Sequence, residues 1–155
     1  MNTEADTCRK FVVPRLQTAG WEGAPHAINE QRTFTDGRVI FVGGKAKRGR
    51  QKRADYILRY RADYPIAIVE AKAAYKSAAD GMQQAKDYAE ILGLKFAYAT
   101  NGAEILEFDF LTGLETERTD FPTPAELWGR QRAGLGLTDD AAAERLLAPG
   151  FPDPA

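Results

Sequence analysis

The stretch "IAIVEAK", residues 66–72, decides the fold, because an apolar run ends there in two opposite charges. Residues 66–69 predict a buried strand. Side chains alternate along a strand, so Glu70 and Lys72 should share one face. Burying both charges is costly if they have no function. The stretch therefore predicts a strand whose end carries a functional pair, and the alternative is an ordinary strand-end ion pair.

A second strand, "ADYILRY" (54–60), precedes this one, and the tight turn "ADYP" (62–65) joins the two. Strands joined in this way are expected to pair, which would bring Asp55 to the same end or face of the sheet as Glu70 and Lys72. Two neighbouring carboxylates suit Mg²⁺, which prefers hard oxygen ligands. A lysine beside such a site can stabilise the negative charge that builds up on a phosphate. The three residues thus predict a metal-assisted phosphate chemistry.

The remaining pattern predicts an α/β fold, in which a mixed central β-sheet is flanked by helices. Thr3 is expected to cap a first helix that Pro14 kinks or breaks and that Gly20 ends. A second helix is expected over 77–92, with Asp80 as its cap and Gln83 as the partner in a capping box. The other predicted elements are a hairpin of 26–34 and 38–42 around "TDG", strands at 95–100 and 104–110 around the turn "NG", and a helix over 123–132 opened by Pro124.

Length and composition favour a single soluble domain. The chain has 155 residues, 44% of them hydrophobic, which is enough for a core and typical of globular proteins. No apolar run reaches the roughly 18 residues of a membrane span. The start, "MNTEADTCRK", is unlike a secretory signal, and the single cysteine, Cys8, excludes an internal disulfide. We therefore expect a cytoplasmic protein without a membrane partner.

The net charge of −1 hides a basic segment, which we expect to form a loop between strands. Residues 1–100 hold 17 Lys/Arg against 11 Asp/Glu, whereas residues 101–155 hold 4 against 11. Basic runs suit phosphate backbones, although a solvated loop without a ligand explains this composition equally well. The predicted DNA-binding residues of this segment, residues 45–53, are Lys45, Lys47, Arg48, Arg50, Lys52 and Arg53.

The pattern D-x14-E-x-K, on two strands that follow a hairpin and precede a helix, resembles the PD-(D/E)xK nuclease fold. Ala54, not proline, precedes Asp55. Beyond these strands, "QQAKDYAEIL" is similar to a QxxxY motif, in which Gln84 and Tyr88 share one helix face. Without that resemblance, Tyr88 would be interpreted as core and Gln84 as surface. The motif follows ExK in the nuclease domain of type I restriction enzyme R subunits and in related helicase-fused nucleases.

The resemblance to the N-terminal domain of those R subunits extends over most of the chain. It includes "TEADTCRKFVVPRLQTAGW", "INEQRTFTDGRVIFVGGKAKRGRQKRADYIL", "IAIVEAK", "GMQQAKDYAEIL" and "ATNG". It implies that Asp55 and Glu70 are metal ligands and that Lys72 is the catalytic lysine. Gln84 and Tyr88 would position DNA or the metal and lysine. Glu4 matches an acidic position near the metal, although it is also a residue that favours a helix N-terminus.

The resemblance also implies a function and partners. The expected activity is Mg²⁺-dependent hydrolysis of double-stranded DNA, with Mn²⁺ as a substitute, in a type I restriction–modification system. Residues 1–132 would form the nuclease domain, and the proline-rich segment 133–155 would be a linker toward a helicase motor. No phosphate-binding loop with Walker spacing occurs, so ATP is not expected to bind this chain. Specificity and methyltransferase subunits would complete the complex.

Two alternatives remain open from the sequence. One is a free-standing, structure-selective nuclease of the same fold, against which the linker-like end argues. The other is a non-catalytic DNA-binding or docking module, against which the intact Asp55, Glu70 and Lys72 argue. Metal-dependent cleavage separates an enzyme from a binding module.

Overall fold

A mixed six-stranded sheet forms the centre of the molecule. The computed structural model describes residues 3–35, 39–42, 45–48, 51–137, 142 and 145. Its strands are β1 Ala27–Thr35, β2 Val39–Val42, β3 Lys45–Arg48, β4 Gln51–Arg61, β5 Tyr64–Ala71, β6 Phe96–Thr100, β7 Ile105–Asp109 and β8 Leu114–Arg118. The sheet order is β1-β4-β5-β6-β7-β8, and β5 pairs with β6 in parallel while the other neighbours are antiparallel.

Helices cover both faces of this sheet, as the α/β prediction requires. The helical elements are α1 Glu4–Thr7, a π-helical segment Cys8–Val12, α2 Val13–Ala19, α3 Ala79–Leu92 and α4 Pro124–Gly134. One core cluster lies between α3 and the sheet and includes Ile68 and Met82. The other core cluster lies on the opposite face of the sheet and includes Val12, Trp21 and Leu127. Strand β5 is buried on both sides, which explains its nearly continuous apolar sequence.

The N-terminal helix follows the sequence prediction closely. Thr3 forms a capping box with Asp6, and Gly20 ends α2 with a φ of 99°. Pro14 has no N–H to donate to the carbonyl four residues earlier. The chain widens into the π-helical segment just before Pro14, and the N–H of Val13 bonds to the oxygen of Cys8. The expected disruption by Pro14 is thus a local widening of the helix.

The predicted hairpin of 26–34 with 38–42 is wrong. Strand β1 pairs with β4, and β2 pairs with β3 in a separate two-stranded sheet. A turn signal marks where a chain can reverse but does not determine which strand becomes the neighbour. Strand β4 offers β1 eight paired positions, from Ala27↔Arg59 to Thr35↔Gln51, whereas β2 has only four residues.

The basic segment is not a loop either. Lys45, Lys47 and Arg48 belong to β3, and Lys52 and Arg53 belong to β4. Alternation of charged and small residues is compatible with a strand, which the count of charges alone did not indicate. Arg50 falls outside the described residues, and so do the side chains of the three β3 cations.

Two further elements refine the sequence prediction. Asp80 lies in the first turn of α3, where its carboxylate accepts from the N–H of Ser77, and Gln83 donates to Asp87. The predicted Asp80–Gln83 capping box is therefore wrong. Strand β8 was not predicted, because it is an edge strand exposed along most of its length and lacks apolar alternation.

Helix α4 begins at Pro124, as predicted, under a Thr123 cap. It continues to Gly134, two residues past the predicted domain boundary. Most of the predicted linker, 133–155, lies beyond the described residues, so this assignment stays a prediction. Among the described residues, no helix has the length and apolar character needed to cross a membrane.

Candidate active site

The end of β5 brings Asp55 and Glu70 together. Asp55 lies on β4, next to Tyr56, which pairs with Val69 of β5. The Oδ2 atom of Asp55 accepts a hydrogen bond of 2.8 Å from the N–H of Ala71. This bond ties the Asp55 side chain to the residue that follows Glu70, and it fills one lone pair of the carboxylate while other oxygen positions remain.

Glu70 is the most unusual residue of the site, because its carboxylate is only 2% exposed. It faces α3, where its Oε2 atom accepts from Gln84 Nε2 at 3.4 Å. Its Oε1 atom is buried and has no hydrogen-bond partner of normal distance and angle among the described residues, although the nearby backbone of Asp55 acts to lower the pKa of the group. Burial, together with the neighbouring Asp55 carboxylate, raises the pKa of Glu70 to about 9. In isolation, this carboxylate is therefore held in an unfavourable environment.

Lys72 follows β5 directly and crosses the N-terminal end of α3. Its N–H donates to the oxygen of Thr100 at 2.8 Å, which extends the pairing of β5 with β6 by one bond. A Cβ added to Gly81 of α3 would stand 3.3 Å from both Cγ and Cε of Lys72. The lysine stem therefore lies against the helix backbone. This contact places Glu70 and Lys72 on the same face of the sheet, as strand alternation predicted.

Helix α3 contributes the two residues of the predicted QxxxY motif. Gln84 is exposed and reaches Glu70 with its amide. Tyr88 is half-buried and packs against the apolar cluster between α3 and the sheet. The structure thus brings Gln84 to the acidic pair, and it gives Tyr88 the packing contacts of a core residue. A functional role for the Tyr88 hydroxyl stays a prediction.

Glu4 approaches the site from the first turn of the N-terminal helix. Burial is the main cause that raises the pKa of Glu4, and the negative charge of Asp55 raises it further. The positive charges of Lys72, Lys76 and Arg53 act in the opposite direction. Glu4 and Asp55 border a cleft of about 590 Å³. Within the part of the chain that the structure describes, no three His, Cys, Asp or Glu side chains form a group that could hold a metal. Glu4 as a third metal ligand therefore stays a prediction.

Two cations line this cleft beside its acidic residues. Arg9 and Arg53 line it together with Glu30, and Arg53 lies two residues before Asp55 on β4. Alternate residues of a strand share a face, so Arg53 and Asp55 lie on the same side. Of the predicted DNA-binding residues, Arg53 is exposed at the cleft and Lys52 is half-buried.

Two residues of the site were missed by sequence reasoning. The side chain of Asn101 donates to the oxygen of Lys76 at 2.7 Å and accepts from the N–H groups of Ala103 and Glu104. It thereby ties the segment after Lys72 to the turn between β6 and β7. The "NG" signal indicated a turn but not this contact. Gly81 provides the close approach for Lys72, and a glycine inside a predicted helix was the available signal.

The donor set fits a hard divalent cation. Asp55 and Glu70 supply carboxylate oxygens, and Mg²⁺ is commonly bound by one or two carboxylates together with waters. The buried, unpartnered Oε1 atom of Glu70 is the decisive observation, since a buried polar atom normally has a partner. A cation at this position would also relieve the repulsion that raises the pKa of Glu70.

The comparisons with known proteins identify the family of this chain. Residues 42–119 match the family model of the type I restriction enzyme R protein N terminus. The chain is 39% identical over 142 residues to the type I restriction enzyme EcoAI endonuclease subunit of Escherichia coli. The aligned region covers 88% of this chain and 17% of that protein. A solved fragment assigned to an HsdR subunit of a type I restriction enzyme from Vibrio vulnificus YJ016 is 60% identical, with a TM-score of 0.83.

That fragment structure covers 94% of this chain, whereas this chain covers 28% of the solved fragment. The chain thus spans less than a third of each of these two relatives. The family match, the fold and the arrangement of Asp55, Glu70 and Lys72 support one assignment. This chain belongs to the family of type I restriction enzyme R subunits, in which it corresponds to the N-terminal domain.

Proposed function

We propose that this domain is the Mg²⁺-dependent DNA endonuclease of a type I restriction enzyme, and that Mn²⁺ substitutes for Mg²⁺. The observation that carries the proposal is the buried, unpartnered Oε1 atom of Glu70 beside Asp55, with Lys72 on the same face. An idle carboxylate in this position would reduce stability without compensation. A cation-binding role explains why the chain retains it.

Each residue of the site has its own proposed role in phosphodiester hydrolysis. Asp55 and Glu70 would hold the cation, which supplies Lewis-acid stabilisation of the phosphate when bound. Lys72 places an ammonium group near the reacting phosphate, where it stabilises developing negative charge. Gln84 keeps the Glu70 carboxylate oriented through its amide. Tyr88 would support the same helix face, and Glu4 would add a carboxylate at the mouth of the cleft.

The substrate is double-stranded DNA. The cations proposed to hold its phosphates lie on β3, on β4 and between these strands, and Arg53 stands at the cleft itself. Positive charge near a nuclease site favours DNA binding in every sequence context, because it neutralises backbone phosphates. The proposed set is Lys45, Lys47, Arg48, Arg50, Lys52 and Arg53.

The proposal for the wider assembly is based on the family. The E. coli relative is named an endonuclease subunit, and this chain matches 17% of its length. We place ATP hydrolysis and translocation in a helicase motor elsewhere in the R subunit, and sequence recognition in specificity and methyltransferase subunits, all in the cytoplasm. The nuclease domain itself would need no ATP.

The test uses Lys72→Met in the complete R subunit assembled with its partners. Methionine keeps an unbranched stem against Gly81 and removes the charge. DNA cleavage should be lost while ATP hydrolysis continues at the wild-type rate. The matched control is Lys86→Met, because Lys86 also lies at α3 but stacks on Phe108 instead of facing the site. Normal cleavage by Lys72→Met would overturn the proposal.

A further inference from the structure

The segment between β5 and α3 presents an aromatic ring to solvent three residues after the candidate catalytic lysine, Lys72. Tyr75 exposes 67% of its surface, the largest fraction among the big apolar side chains that the structure describes. Single exposed apolar residues are common on protein surfaces, so the exposure alone indicates nothing. Its meaning depends on how the segment is held and on what surrounds it.

Hydrogen bonds hold this segment in place at several points. Asn101 Nδ2 donates to the oxygen of Lys76 at 2.7 Å, and the N–H of Lys76 donates to the oxygen of Ala73 at 2.9 Å. The N–H of Lys72 bonds to Thr100 at one end of the segment. The backbone on both sides of Tyr75 is therefore fixed while the side chain stays exposed. Binding of a ligand to the ring would cost little backbone entropy.

The charges around the segment select the ligand. Lys76 is exposed, and its backbone oxygen is bound by Asn101, which directly follows the Thr100 that accepts from the N–H of Lys72. Arg53 lines the cleft from β4, and Lys76 lies on the segment that follows Lys72, so two elements near the acidic site carry exposed cations. A polyanion bound at the carboxylates would be attracted by the cations of both elements.

We infer that Tyr75 and Lys76 form a DNA contact beside the scissile phosphate, an inference that rests on the proposed nuclease function. Lys76 binds a backbone phosphate next to the reacting one. Tyr75 packs its ring on the exposed deoxyribose of the adjoining nucleotide, an apolar contact that carries no sequence information. Asn101 positions both residues through the oxygen of Lys76. The contact is distinct from the basic segment on β3 and β4.

The experiment measures the affinity of this chain for a mixed-sequence DNA duplex without divalent metal, at several salt concentrations. Lys76→Ala should weaken binding and flatten the slope of log affinity against log salt by about 0.9. Tyr75→Ala should weaken binding about fivefold at every salt concentration, with an unchanged slope, because apolar packing on a sugar involves no counterion release. Tyr75→Phe should bind as the wild type does.

The matched control is Leu114→Ala, because Leu114 is 63% exposed on the edge strand β8. It should leave DNA affinity unchanged, and thermal melting should show that all variants fold. Equal affinity of Tyr75→Ala and Leu114→Ala, an unchanged slope in Lys76→Ala, or a wild type that does not bind the duplex would overturn the inference. Wild-type binding without cleavage in the assembled enzyme would instead overturn the proposed nuclease function and leave the contact standing.

Discussion

At the scale of single residues, Glu70 shows how function conflicts with stability. Its carboxylate is buried beside Asp55, with one oxygen bonded to Gln84 and the other unpartnered. A structural ion pair would have satisfied both oxygens. Sites that bind cations commonly keep such unfavourable carboxylates in the metal-free state, because the ion compensates them on binding.

The titration of Glu70 should make the metal-free domain less stable at high pH. Burial raises its folded pKa to about 9 from 4.5, so the folded state keeps a proton that the unfolded chain releases. That stabilisation is complete below the unfolded value and is lost as pH rises through the folded value. The unfolding free energy should fall by up to about 1.4 kcal/mol per pH unit between these limits.

Glu70→Gln should remove this part of the pH dependence and should be more stable than the wild type at about pH 8. Denaturant unfolding in chelator, at several pH values, measures the slope for both proteins. Glu90→Gln is the control, since Glu90 is exposed on α3. The same slope in Glu70→Gln and the wild type would contradict this account of Glu70.

At the scale of elements, α3 is built around its contact with the end of β5. The buried Gly81 lies in its first turns and gives room to the stem of Lys72, while Gln84 follows on the side of Glu70. Glycine inside a helix costs roughly 1 kcal/mol relative to alanine. The helix is therefore less stable with glycine at position 81 than it would be with alanine, at the position that contacts Lys72.

Gly81→Ala should separate stability from activity. The new Cβ would stand 3.3 Å from Lys72 Cγ and Cε, so the lysine must shift by a few tenths of an ångström. Improved helix propensity, worth up to about 1 kcal/mol, should keep the variant at least as stable as the wild type. Cleavage by the assembled enzyme should nevertheless fall, because Lys72 is displaced.

The control is Gly129→Ala in α4, where nothing lies within 4 Å of the added Cβ. That variant should gain helix stability and keep full cleavage. Thermal melting and cleavage assays on both variants test the pair of expectations. Full activity in Gly81→Ala would mean that Lys72 does not depend on this contact.

Much of this arrangement could be predicted from the sequence, because it is local. The buried run of β5, the alternation in β4 and the four-residue spacing of Gln84 and Tyr88 each determine a face. The pairing of β1 with β4 could not be predicted, since it depends on competition between distant segments. The contact of Asn101 with Lys76 spans 25 positions and leaves no local pattern.

At the scale of the whole molecule, the sheet separates the candidate active site from a buried charge cluster. Glu70 faces α3, whereas Glu107 of β7 bonds to Arg130 of α4 on the opposite face. Arg130 also bonds to Asp109, and the Tyr98 hydroxyl donates to Glu107. These groups satisfy one another, in contrast to Glu70, so they serve to dock α4.

Arg130→Met should therefore reduce stability without changing the site. It removes one charged partner from Glu107 and Asp109, which keep Arg118, the Tyr98 hydroxyl and backbone N–H groups as partners, so the cost should be about 1–3 kcal/mol. Denaturant unfolding measures the loss, and metal binding below the melting temperature should match that of the wild type. A folded Arg130→Met variant with altered metal affinity would show that the two faces are coupled.

The central claim is that Asp55 and Glu70 together hold a divalent cation, and calorimetric titration of this chain with Mn²⁺ and Mg²⁺ tests it most directly. The wild type should bind, and Asp55→Asn and Glu70→Gln should each weaken binding at least about tenfold while remaining folded. Asp63→Asn, in the exposed turn between β4 and β5, should bind as the wild type does. Equal metal affinity in the wild type and both site variants would contradict the account.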